Sequence, residues 1–218
     1  MTKKSTSPWE CTGHLSADAS SMCSLAGAGE TVMKPALLLH SCCGPCSTSV
    51  IERLAPDYDI TVFFYNPCIT DEAEYEKRKE SQIAFIEKYN LKLAGLHRIH
   101  FIEGVYEPDK YYQLTAGFSN EPEGGARCTI CFRQRLEKTA QTAADKGYGI
   151  FTTTLTVSPH KNYPLISAIG KELSEAYGIE FLDLDFKKKA GFQRSIQLSK
   201  EYGLYRQNYC GCSYSKRD

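Results

Sequence analysis

Neither sign of charge prevails in this sequence: lysine plus arginine and aspartate plus glutamate each total 26, so the formal net charge is zero. A polycationic field acting at long range is excluded, and any polyanionic partner must be met by a local basic face. Also missing is an apolar run of the roughly 20 residues that a membrane span needs. The first residues show no charged start, apolar centre and small-residue cleavage site of the kind secretion requires. Tryptophan is nearly absent, Trp9 being the only one, and no internal repeat is evident. Together these absences predict a cytoplasmic protein with no membrane association. Its 218 residues suffice for one α/β domain whose core needs no disulfide staples.

What the chain does have is cysteine, ten in all. In a reducing compartment, thiols grouped as tightly as these point to metal or redox chemistry rather than to a disulfide framework. Two of them, Cys11 and Cys23, stand alone within residues 1–33. That stretch is rich in Ser, Thr, Ala and Gly, lacks periodicity, and reads as a disordered N-terminal extension. Periodic sequence begins just after Met33, which is compatible with a natural start there, and residues 34–218 read as the catalytic α/β domain.

From Pro35 onward short apolar runs alternate with helical stretches, the pattern of parallel strands joined by crossover helices. Strands are expected at 37–40, 61–65, 98–102, 149–153 and 181–184. Asn162 can cap a helix, Pro164 suits its first turn, Leu165, Ile169, Leu173 and Ala176 form its apolar stripe, and Gly178 stops it. A second helix starts near Cys128, buries Leu136, Ala140, Ala143 and Ala144, and ends at Gly147, while a charged helix covers about 72–89.

Three segments carry the chemistry. In Leu37-Leu38-Leu39-His40-Ser41-Cys42-Cys43-Gly44-Pro45-Cys46, an apolar strand runs into a tight turn and a helix, and strand ends of open α/β sheets are where ligands collect. A helix N-terminus there favours thiolate over thiol. One cysteine would simply be packing, but three within five positions argue for ligation. Cys128 and Cys131 have a spacing that sets both sulfurs on one face of a first helical turn. With Cys42 and Cys43 they make four thiolates, a set that serves a 4Fe–4S cluster or structural zinc. In Cys210-Gly211-Cys212 the glycine permits a tight turn, and the thiols are suited either to a strained, easily reduced disulfide or to further metal ligation.

Taken in order, His40-Ser41-Cys42-Cys43-Gly44-Pro45-Cys46, Phe64-Tyr65-Asn66-Pro67, Glu74-Tyr75-Glu76-Lys77-Arg78, Arg127-Cys128 with Cys131, Phe151-Thr152-Thr153-Thr154-Leu155, Ser158-Pro159 and Leu204-Tyr205-Arg206-Gln207-Asn208-Tyr209-Cys210-Gly211-Cys212 resemble the QueH family of epoxyqueuosine reductases over about 37–214. The resemblance implies a single-domain, Rossmann-like parallel sheet flanked by helices, of the HUP or adenine-nucleotide α-hydrolase-like kind. It implies cobalamin-independent, two-electron reduction of epoxyqueuosine to queuosine at the tRNA wobble position, with electrons from an external donor. By the same analogy Cys42, Cys43, Cys128 and Cys131 would hold a 4Fe–4S cluster, and Cys210 and Cys212 would be a redox-active pair. A second metal, an iron ion beside the cluster, is also implied, with Cys46 its first candidate ligand because it follows the double cysteine by one helical turn. Cys68 departs from the family pattern, which has asparagine there.

Two other readings compete. A zinc-stabilised RNA-binding protein without redox chemistry would use the same thiols. An ATP-dependent tRNA sulfurtransferase of related fold would need a Ser-Gly-Gly-type phosphate loop where this chain has Ser41-Cys42-Cys43-Gly44-Pro45, and Pro45 removes a donor. Tyr65, Asn66, Tyr205 and Gln207 are candidates for reading unpaired bases, set against ordinary amphipathic packing. Lys187, Lys188, Lys189 and Arg194 are candidates for phosphate contacts, set against a solvated face. His40 reads as a satisfied core histidine, the Glu74–Arg78 run as a charged helix face, and Asp183 and Asp185 have no assigned role.

Overall fold

The computed structural model describes residues 34–93 and 97–216; the expected extension, with Trp9, Cys11 and Cys23, lies outside them. Five parallel strands form one sheet in the order β3-β2-β1-β4-β5. They are β1 (Ala36–His40), β2 (Asp59–Phe64), β3 (His100–Glu103), β4 (Ile150–Thr153) and β5 (Glu180–Phe181). Six α-helices accompany them among the described residues: α1 (Gly44–Leu54), α2 (Glu72–Lys92), α3 (Pro108–Leu114), α4 (Ala126–Lys146), α5 (Tyr163–Tyr177) and α6 (Gly191–Glu201).

Strand side chains alternate between two cores, because successive residues of a strand face opposite sides of the sheet. Leu37, Leu39, Ile60 and Val62 pack with Val50, Ile51 and Leu54 of α1, Phe85 and Ile86 of α2, and Leu198 of α6. Leu38, Phe63 and Phe151 pack on the other side with Leu136, Ala140 and Ala143 of α4 and Ile166, Ile169 and Leu173 of α5. The expected α5 boundaries hold: the Asn162 side chain accepts from Leu165 N at 3.2 Å, and Gly178 ends the helix in the left-handed region. Ala144 and Ala176, expected on apolar stripes, are exposed. No described helix is long and apolar enough to cross a membrane.

The central strand β1 pairs with β2 in one direction and with β4 in the other. Connections therefore leave β1 and β4 toward opposite faces, which opens a crevice beyond their C-terminal ends.

Candidate thiol centre at the sheet edge

The first thiols sit where β1 gives way to α1. Pairing with β2 runs one residue past the strand, Ser41 N donating to Phe63 O at 2.9 Å, and Asn66 Nδ2 donates to Ser41 O at 2.9 Å. The chain then turns into α1 at Gly44, where a Cβ would come within 2.8 Å of Ser81 O, so only glycine allows α1 to start this close to α2. The sulfurs of Cys42, Cys43 and Cys46 consequently lie within 4.8 Å of one another, and that group has the composition of a metal site. Hydrogen bonds from the Cys43 and Cys46 thiols hold Cys42 well below the ordinary thiol range. Their own values are correspondingly raised by the bond to Cys42. Gln207 Nε2 donates to Cys43 Sγ at 2.9 Å, bringing the C-terminal segment onto this group.

A second set of thiols gathers beside it. Cys68, Cys131 and Cys212 are buried and pack together with Tyr111, and Cys210 lies against them. Cys210 Sγ and Cys212 Sγ are 3.5 Å apart as free thiols. Ser215 Oγ lies 2.8 Å from Cys210 Sγ, and hydrogen bonds from Cys212 and Ser215 hold Cys210 far below the usual thiol value while Cys212 is raised. Gly211 between them has φ +118°, and a Cβ there would come within 2.8 Å of Ile69 Cγ1. Cys128 takes a separate place: its sulfur accepts from Gly124 N at 3.2 Å, and the residue packs against the core that contains Cys42 and Cys43. Cys128 and Cys131, expected side by side, thus face different neighbours.

Cations complete the site. Arg135 is 3 % exposed, donates from Nε to Cys131 O at 3.1 Å, and forms no ion pair with any carboxylate among the described residues. Burial works against its charge, but the neighbouring Cys131, Cys68 and Cys42 more than offset this, so it is held above its ordinary value. Lys161 is half-buried and behaves alike, with burial outweighed by Cys42. Arg78 is buried on α2, and its Nη1 and Nη2 donate to Cys210 O at 3.0 Å and Tyr209 O at 3.2 Å. The charged helix face expected of this run holds for exposed Glu76 and Lys77 and for the Glu74–Arg78 pair, but Arg78 itself is buried rather than on that face.

The other sequence candidates divide. His40 is buried and neutral: Nε2 donates to Tyr65 O at 3.1 Å, Nδ1 lies 2.9 Å from Thr153 Oγ1, and its pKa falls to about 3, chiefly through desolvation. It is the satisfied core histidine expected. Tyr65 and Asn66 are buried, Tyr65 donating to Glu107 Oε1 at 2.6 Å, so neither presents a face to a base. Tyr205 donates to Glu74 Oε2 at 2.8 Å, and Lys77 lies 4.0 Å from its ring centre. Arg194 is spent on a two-bond pair with Glu52, and Lys187 lies 3.6 Å from Asp185; Lys188 and Lys189 are exposed. Asp183 accepts from Tyr163 and Ser167 and pairs with Lys171, a structural role.

The residues present fit a thiolate-held metal. The donors are soft sulfurs, which suit iron–sulfur clusters and zinc. Arg135 and Lys161, which have no carboxylate partner among the described residues, stand ready to balance their charge. Two amide oxygens, Gln207 Oε1 beside Cys43 and Asn66 Oδ1 beside the Ser41 turn, are buried with no hydrogen-bond partner among the described residues. Comparison with known proteins identifies the family. Residues 37–218 match the family model described as epoxyqueuosine reductase QueH. The epoxyqueuosine reductase QueH of Streptococcus pyogenes serotype M1 is 41% identical over 185 residues, covering 85% of this chain and 72% of that protein. Its namesake in Staphylococcus epidermidis is 41% identical over 184 residues, 84% of this chain and 76% of that protein. That of Thermotoga maritima is 39% identical over 182 residues, 82% of this chain and 89% of that protein. The chain belongs to the QueH family.

Proposed function

We propose that this QueH family member, an epoxyqueuosine reductase, converts epoxyqueuosine to queuosine in tRNA in the cytoplasm, with a thiol-held iron centre and electrons from an external donor. The observation that carries this reading is the convergence, at one sheet edge, of thiols from the β1 turn, the β2 turn, the start of α4 and the C-terminal segment. Removing an epoxide oxygen as water and leaving an alkene consumes two electrons and two protons. Two thiols closing to a disulfide release two electrons, and Cys210 and Cys212, 3.5 Å apart, would supply them; with Cys210 held as thiolate and Cys212 keeping its proton, the pair gives one of the two protons and solvent water gives the other. The donor then reopens the disulfide.

Cys42, Cys43, Cys128 and Cys131 would hold a 4Fe–4S cluster, and Cys46 would serve an adjacent iron ion. Such a centre supplies one-electron steps and a Lewis acid for the epoxide oxygen. The chain's own residues do the rest. Arg135 and Lys161 balance the negative charge of the thiolates, Gln207 directs an N–H at Cys43, and Tyr111 covers the Cys68, Cys131 and Cys212 side against water. The strand order and the crevice beyond β1 and β4 support a Rossmann-like assignment. Exposed Lys188 and Lys189 at the entry to α6 support phosphate contacts with tRNA.

The test is anaerobic purification, iron, sulfide and zinc analysis, and incubation of the reduced protein with tRNA bearing epoxyqueuosine. Iron and sulfide with queuosine formed is the expected result. Zinc alone, with no conversion, would replace the proposal by that of an RNA-binding zinc protein.

A further inference from the structure

Cys68 lies in the turn that follows β2, held where Ile69 N donates to Asn66 O at 3.1 Å, and it is 2 % exposed. Its neighbours are unusual for a buried cysteine. The cluster it joins contains Cys131, Cys210, Cys212 and the Tyr111 ring, and no aliphatic side chain. A cysteine that merely fills space packs against Leu, Ile, Val or Phe, which make up the two main cores here. Cys131 is buried with it in this cluster, at 8 % exposed.

The charge balance points the same way. Arg135 is buried against this cluster without a carboxylate partner among the described residues, and an uncompensated buried guanidinium is strongly unfavourable. Ionised thiols supply the missing negative charge, yet several thiolates packed together repel one another unless a metal draws them in. A thiol-only group facing a buried cation satisfies both demands when it holds a soft metal.

We propose that Cys68 is a metal-ligating thiolate that binds together with Cys131, giving this chain one sulfur donor more than the six-cysteine set of its proposed cluster and redox pair. The inference rests on the thiol-held metal proposed above, and it concerns a residue to which that reading gives no role.

Anaerobic titration of the metal-stripped protein with cobalt(II) tests it, because sulfur-to-cobalt charge-transfer absorption reports thiolate ligation directly. Iron content of the protein as purified is measured in parallel. Cys68→Ser and Cys68→Ala are each expected to weaken cobalt affinity at least tenfold, since even outer-shell changes at metal sites cost about 10- to 100-fold. Both should also lower the charge-transfer intensity and the iron content. The alanine variant separates ligation from packing: a space-filling role predicts that Ala is tolerated and Ser is not, whereas a ligand role predicts equal losses. Near-ultraviolet circular dichroism checks that each variant is folded. Unchanged affinity and intensity in Cys68→Ala, with losses in Cys42→Ser, would overturn the role of Cys68 and leave the metal reading standing. No thiolate-bound cobalt and no iron in the unaltered protein would overturn both.

Discussion

Arg78 makes the C-terminal thiols dependent on a single side chain of α2. Its three kinds of donor are all engaged: Nε with Glu74 Oε1 at 2.6 Å, Nη1 with Cys210 O at 3.0 Å and Nη2 with Tyr209 O at 3.2 Å. Glu74 in turn accepts from Tyr205 at 2.8 Å, so one arginine and one glutamate tie three residues of the segment to the helix. Arg78→Ala removes two charge-assisted bonds, each worth about 1.5–3 kcal/mol. It also leaves a largely buried Glu74 without its cation, and breaking a buried pair costs about 3–5 kcal/mol. Because these overlap, the opening of the segment should become easier by about 3–5 kcal/mol, or a factor of about 10² to 10³ or more in open population. Cys212 is 4 % exposed, so its alkylation by a maleimide reports that opening. Measured anaerobically on protein of matched metal content, labelling should accelerate by at least about 10²-fold in Arg78→Ala and by less in Arg78→Lys, which keeps charge but not the planar fork. The half-exposed pairs of Lys79 with Glu76 and Glu103 give the control: Lys79→Ala should change the rate less than about fivefold. Wild-type labelling in Arg78→Ala would refute the clamp.

Gly211→Ala should open the same segment by about 1–3 kcal/mol, because φ +118° is strained for any side chain and its Cβ would meet Ile69 and Arg78; the labelling assay reads it. Gly170→Ala sets a Cβ against the ring of Phe181 and should lower the thermal midpoint through overpacking worth about 1–3 kcal/mol, with no effect on Cys212 labelling. Asn162→Ala removes the cap of α5 at a cost of about 1 kcal/mol, a drop of about 2–4 °C in Tm that Asn162→Asp should avoid.

Much of the fold could be read from period alone, as the alternation of Leu37, Leu38 and Leu39 between two cores shows. Helix α6 was less plain, because the residues it buries fully are Ser195, Leu198 and Ser199. Those serines satisfy themselves along the helix, Ser195 with Phe192 O at 2.7 Å and Ser199 with Ser195 O at 2.5 Å, so its buried face mixes hydroxyls with apolar side chains. Strand β5 is shorter than the expected 181–184 for a related reason. Leu182 N still donates to Phe151 O at 2.9 Å, but the carbonyls of Leu182 and Leu184 accept from the hydroxyls of Thr152 and Thr156 at 2.8 and 2.9 Å, side-chain bonds in place of a continued ladder. At the site, the cysteine spacing was informative, whereas the buried Arg78 and Arg135 look like surface residues in sequence. Only the partners that the tertiary fold brings to them distinguish the two situations.

The spacing of Cys128, Cys131 and Arg135 on α4 shows how one helix can serve two groups of thiols. At 3.6 residues per turn, positions three apart are offset by about 60° around the axis and about 4.5 Å along it, which is near enough to share a neighbour and far enough to face different ones. In this chain the second possibility is realised, with Cys128 against the Cys42 and Cys43 core and Cys131 against Cys68 and Cys212. Arg135 follows Cys131 by four residues and so stays on the same edge of the helix, where its Nε bonds the Cys131 carbonyl and its charge faces Cys131, Cys68 and Cys42 together. A guanidinium cannot shed its proton to escape burial. Besides the Phe132 ring, which lies 5.7 Å from it, anionic sulfurs relieve its charge, so the position of Arg135 favours thiolates in both groups at once and couples the electrostatics of one to the other.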